Sequence, residues 1–140
     1  MGDEDAAMDP KDAPHAAALW VGLHLILLLV LSVLVTRQRR KHRVSLGDGG
    51  VPALNQAIRA FGNATEYIPA ALVGLGVLAV AGAAALLIHS IGFILFAGRV
   101  LHAIGLSSSS GTSWPRVAGA VATWVAYVAA AAALLFYAIP

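Results

Sequence analysis

Four long apolar stretches alternate with short polar ones along this chain. The first runs from Ala13 to Thr36, holds no Asp, Glu, Lys or Arg, and reads LWVGLHLILLLVLSVLV at its centre. At about 1.5 Å of rise per residue, about 20 such residues cross the hydrocarbon core of a bilayer. From Tyr67 to Gly98 there are 32 residues without any of those four charges. That is too long for one comfortable span and too short for two. Two helices that each extend past their own charges resolve the conflict. The pattern therefore predicts spans over 14–36, 52–80, 84–106 and 115–138. The expected fold is an all-α membrane protein, a four-transmembrane-helix bundle in a single domain.

The connections carry turn chemistry. Gly47, Gly49, Gly50 and Pro52 mark a turn after the first span, and proline is tolerated in a first helical turn. Asp48 or the glycines are expected to cap the helix entered there. Gly82 and its small neighbours are expected to form a tight turn between spans two and three. SSSSGTSWP reads as the loop before span four. The glycines Gly74, Gly76 and Gly82 are expected to bring helices close together.

Composition supports a bilayer as the solvent. Of the 140 residues, 59% are hydrophobic and 11% charged, against about 25% charged in an ordinary soluble domain. The mean hydropathy is +0.81. Five of the seven acids precede residue 13, and six of the nine bases lie between Arg37 and Arg59. The acidic start is wrong for a signal peptide, so residues 1–12 are expected to be a disordered tail and the first span to be retained. By the positive-inside rule the Arg37–Arg43 run faces the cytoplasm. Both termini then lie on the non-cytoplasmic side. Anionic membrane lipid is the expected partner of the basic run. A net charge of +2 is too small to imply nucleic acid, and the absence of cysteine rules out a protein thiol as nucleophile. The histidines lack metal-ligand spacing, so no metal is expected.

Charge inside a membrane is costly and marks function by default. At 100° per residue Arg59, Asn63 and Glu66 fall within about 60° of one another on a helix, with Tyr67 adjoining and Asn55 and Gln56 near the same stripe. Arg99 and His102 are neighbours at i, i+3 on helix three, and Arg116 opens helix four. Three arginines and one glutamate are expected to converge at one depth. Their surplus positive charge suits an anionic ligand with one ammonium, a description that glutathione meets. The competing reading is an ion-pair network, Arg59 to Glu66 through Asn63, that only sets helix register.

RAFGNATEYIP resembles the central signature of the MAPEG superfamily, the membrane-associated proteins of eicosanoid and glutathione metabolism. RVSLGDGGVPALNQAIRA is similar to its bacterial branch, and GRVLHAIGL to its third-helix segment. The resemblance implies a homotrimer in the bacterial inner membrane, binding glutathione as cosubstrate between protomers near the cytoplasmic side. It implies that Arg59 pairs with a carboxylate, Asn63 with peptide groups and Glu66 with the amine region. Gln56, Tyr67, Arg99 and His102 would complete the ligand set, with Arg37 or Arg39 near the thiol or a carboxylate. Leu106 stands where family enzymes commonly carry an aromatic. The serine-rich loop leaves Arg116 as the thiolate-stabilising candidate, with Ser113 or Thr112 as a hydroxyl beside the sulfur.

Three functions compete. The first is a glutathione-dependent transferase or peroxidase acting on a lipophilic small molecule. The second is a non-catalytic lipid- or fatty-acid-binding helper. The third is a proton-coupled exporter using Glu66. His24 and His89 are expected to be packed, hydrogen-bonded groups, and Trp20, Trp114 and Trp124 packing or membrane-interface aromatics.

Overall fold

The computed structural model describes residues 12–109 and 111–139. Residues 1–11, which carry most of the tail expected to be disordered, lie outside the described residues. Four helices follow: α1 Ala13–His42, α2 Pro52–Val80, α3 Ala85–Ser108 and α4 Trp114–Tyr137. All four are long and apolar enough to cross a membrane. Three of them, α1, α2 and α4, begin with proline in the first turn, where the missing N–H has no helical partner to lose.

Helix α1 does not end at Thr36 but carries the basic run to His42. Arginine and lysine are good helix formers, so the charges end the apolar count without ending the helix. It stops at Arg43, whose left-handed backbone (φ 56°) lets its N–H return to the Arg39 carbonyl. Arg39 also clamps the turn that follows, donating from Nη1 to the carbonyls of Ser45 at 3.3 Å and Gly47 at 2.9 Å.

Asp48 does not cap α2. The N-cap is Val51, without a side-chain bond. Asp48 instead accepts the Gly50 N–H at 3.0 Å and the Asn55 side-chain N–H at 2.6 Å. It stabilises the turn and ties that turn to the first coil of α2. Those two donors hold its carboxyl below the ordinary value of 3.8.

Helix α3 is the most enclosed element and packs on the other three. One apolar core joins α1, α2, α3 and α4 around Trp20, Leu75, Leu78, Ile88 and Leu95. A second, smaller core joins Leu31, Ala60, Ala64, Ile68, Ala103 and Leu106. Outward positions such as Leu25, Ile26, Leu29, Val73 and Val128 stay exposed and apolar, as lipid-facing residues should.

The close helix contacts do not use the glycines expected to make them. Nothing lies within 4 Å of where a Cβ on Gly76 or Gly82 would sit, and a Cβ on Gly74 would make ordinary contact with Leu134. Gly82 serves the turn through its positive φ of 78°, which glycine adopts without strain. The tight seam is between α3 and α4. A Cβ on Gly119 would collide with the backbone of His102 and Gly98, and one on Gly105 with the backbone of Arg116. Small residues that let backbones touch are how membrane helices associate, since lipid supplies no hydrophobic force between them. At the other end the Trp20 side chain fills the space that a Cβ on Gly92 would need.

Candidate functional site

The seam between α3 and α4 positions the site. Arg99 on α3 is 3% exposed. Its Nε donates to Thr123 Oγ1 on α4 at 2.9 Å, and its Nη1 donates to Asn63 Oδ1 on α2 at 2.7 Å. Its guanidinium lies 5.1 Å from the centre of the Tyr67 ring. The Thr123 hydroxyl in turn donates to the Gly119 carbonyl at 2.8 Å. Tyr127 donates to the Tyr67 carbonyl and packs edge-on against the Tyr67 ring. One arginine thus ties three helices through neutral partners. Among the described residues no carboxylate pairs with it.

Arg99 opens on a cavity of about 350 Å³. Asn63, Tyr67, His102, Thr112 and Arg116 supply its polar wall, and Val117, Val121 and Trp124 its apolar one. A second cavity, about 470 Å³, lies towards the α1–α2 turn and is lined by Gln56, Arg59, Asn55, Leu106 and Ser109 among others. Arg116 lines both. Both volumes are in the usual range for small-molecule sites.

The sequence-predicted set is therefore divided. Asn63, Tyr67, Arg99, His102 and Arg116 gather around one cavity. Gln56, Arg59 and again Arg116 gather around the other. Glu66 is exposed and lines neither. Within one protomer Arg59, Arg99 and Arg116 do not line a single cavity together with Glu66. Among the described residues the Arg59–Asn63–Glu66 network does not form either; the Asn63 side-chain oxygen accepts from Arg99 instead. Arg37 is exposed and Arg39 is engaged by the turn; neither lines these cavities. Ser113 directs its hydroxyl to the Gly105 carbonyl at 3.4 Å, whereas Thr112 reaches the Arg99 cavity.

Thr123 and Tyr127 were not anticipated. Their signal was available: two hydroxyls four residues apart on an otherwise apolar helix share one face. His24 is fully buried, bonds the Trp20 carbonyl at 2.6 Å and meets Phe96 edge-on. His89 accepts the Trp20 indole N–H at 3.2 Å. Trp20 is a packing residue, while Trp114 and Trp124 are exposed at 75% and 57%. Among the described residues no three His, Asp or Glu side chains gather as metal ligands would.

The chain matches the family model described as MAPEG family over residues 17–136. It is 40% identical over 121 residues to the Inner membrane protein YecN of Escherichia coli strain K12, covering 86% of this chain and 91% of that protein. The protein of the same name from Escherichia coli strain O6:H1 matches with the same identity and coverage. Every residue lining the two cavities falls inside the matched range. Four spans and these likenesses make the chain a multi-pass protein of the inner membrane, and it belongs to the MAPEG family.

Proposed function

We propose that this protein is a membrane-embedded glutathione-dependent transferase or peroxidase that works as a homotrimer. The observation that carries the reading is Arg99: a buried guanidinium with neutral partners only, opening beside Arg116 on a cavity with an apolar wall. A buried charge held without a counter-ion is expensive, and an anionic ligand removes that cost. Glutathione brings two carboxylates, for Arg99 and Arg59, and its ammonium suits Glu66. The exposure of Glu66 and Arg59 fits a site completed by a neighbouring protomer.

Arg116, standing between the cavities, is the residue assigned to lower the thiol pKa from about 8.5 by placing positive charge near sulfur. Thr112 is better placed than Ser113 to hydrogen-bond the thiolate. A lipophilic electrophile reaches the Val117–Val121–Trp124 wall from the bilayer. In transfer the thiolate attacks the electrophilic carbon, a C–S bond forms, and the leaving group departs with its electron pair.

The test is an ultraviolet difference titration of the purified protein with glutathione near neutral pH. A saturable thiolate absorbance, lost in Arg116→Ala with binding retained, is the expected result. Binding of glutathione or fatty acid without any thiolate signal would overturn the catalytic reading in favour of a non-catalytic lipid-binding helper.

A further inference from the structure

A third concavity lies on the opposite side of α3 from the Arg99 cavity, between α1 and α3. Its volume is about 370 Å³. Leu27, Leu31 and Leu34 line it from α1, and Val100, Ala103 and Ile104 from α3. From Leu27 to Leu34 it extends about 10 Å along the helix axis. Its lining is apolar except at one end, where Ser107 and Ser108 of α3 enter.

The stripe that lines the groove does not stop at Leu34. Positions three and seven residues farther lie on the same helix face, and these are Arg37 and Lys41. Both belong to α1, which remains helical through His42, and both are exposed. They stand about 5 and 10 Å beyond Leu34 along the axis. The polar headgroup layer of a leaflet is about 5–8 Å thick, and long basic side chains reach along it. The last turns of α1 and α3 contain no Asp or Glu. An apolar groove therefore ends in exposed positive charge and serine hydroxyls at headgroup depth, with no acid in the last turns of the two helices that form it.

We infer that the α1–α3 groove holds one acyl chain of an anionic glycerophospholipid, whose phosphate is gripped by Arg37 and Lys41. The lipid sits apart from both cavities described above. The basic run is then a built receptor on one helix face, not a diffuse surface anchor. Arg40 points off this face, and Arg43 lies past the end of the helix.

Native mass spectrometry of the detergent-solubilised full chain with equimolar dioleoyl phosphatidylglycerol and dioleoyl phosphatidylcholine tests the assignment. Retention of phosphatidylglycerol over phosphatidylcholine is expected. Each basic residue near an anionic headgroup is worth about fivefold in affinity. Arg37→Gln with Lys41→Gln should thus cut phosphatidylglycerol retention by about 25-fold, whereas Arg40→Gln with Arg43→Gln should cut it only a few-fold. Ile104→Trp and Leu34→Trp, at positions 52% and 39% exposed, should fill the groove and lower retention of the lipid. Equal losses from the two basic pairs would overturn the site in favour of diffuse anchoring. Equal retention of both lipids would remove the headgroup contact. A change of oligomer mass in both tryptophan variants, with lipid retention unaltered, would assign the groove to a second copy of the chain.

Discussion

Arg99→Met separates structural need from ligand need. Inserting an arginine at membrane depth costs about 3 kcal/mol. Its returns in this fold are two side-chain hydrogen bonds, to Thr123 and Asn63, and the face of Tyr67. Membrane hydrogen bonds average about 0.6 kcal/mol each, and a desolvated cation–π contact adds about 1–2 kcal/mol. Gains of about 2–3 kcal/mol stand against a cost of about 3. After substitution Thr123 keeps its bond to Gly119, and Asn63 still faces a cavity. Methionine fills much of the vacated volume. The unfolding free energy, measured by circular dichroism in mixed detergent micelles, should therefore change by less than about 1 kcal/mol. Glutathione affinity, measured by calorimetry, should fall about 10- to 100-fold, since a hydrogen bond to a charged group is worth about 1.5–3 kcal/mol. A destabilisation above about 3 kcal/mol with affinity intact would refute the reasoning and make Arg99 a purely structural tie.

Other perturbations test the supporting structure. Gly119→Ala drives a methyl into the backbone of His102 and Gly98 and should cost about 1–3 kcal/mol. Gly76→Ala, with nothing within 4 Å, should be neutral or stabilising in the same assay. The Asp48 turn should loosen in acid. Its carboxyl is depressed below 3.8 by the Gly50 N–H and then by Asn55, so its contribution is present above that value and fades as pH falls through the lower folded one. Faster amide exchange at Gly50 as pH falls below the ordinary value of 3.8, corrected for intrinsic rate, is the expected sign, and Asp48→Asn should flatten it.

Hydropathy made the spans legible because a membrane helix must be apolar over a length set by the bilayer. The helix α1 runs on past the predicted apolar span to His42, because charge limits burial and not helicity. The Gly47–Pro52 turn was legible from composition, but the role of Asp48 was not. A side chain that can cap can equally close its own turn, and only the position of Asn55 decides between them. The polar residues were recognised as a set, yet helical phase alone misassigned their partners. Arg59, Asn63 and Glu66 share a face in projection, but Asn63 is drawn to an arginine 36 residues away on α3. Such pairings depend on which helices meet, and that depended on the wrong glycines. Gly98, Gly105 and Gly119 form the seam, whereas spacing alone favoured Gly74, Gly76 and Gly82.

The seam explains why binding residues and packing residues are hard to tell apart in this protein. Gly98 and Gly119 bring two backbones into contact, and that contact brings Thr123 within reach of Arg99. Thr123 sits one turn after Gly119 on α4, and Arg116 sits three residues before it, so one glycine sets the position of both. Arg116 can face the two cavities only while α4 stays at this distance. A methyl at Gly119 would therefore act twice, lowering stability through overpacking and weakening the proposed anion site through displacement. A purely structural seam predicts that glutathione affinity of the folded fraction of Gly119→Ala is unchanged. A seam that positions the site predicts a loss of affinity in that fraction, and Gly76→Ala, far from it, should show none.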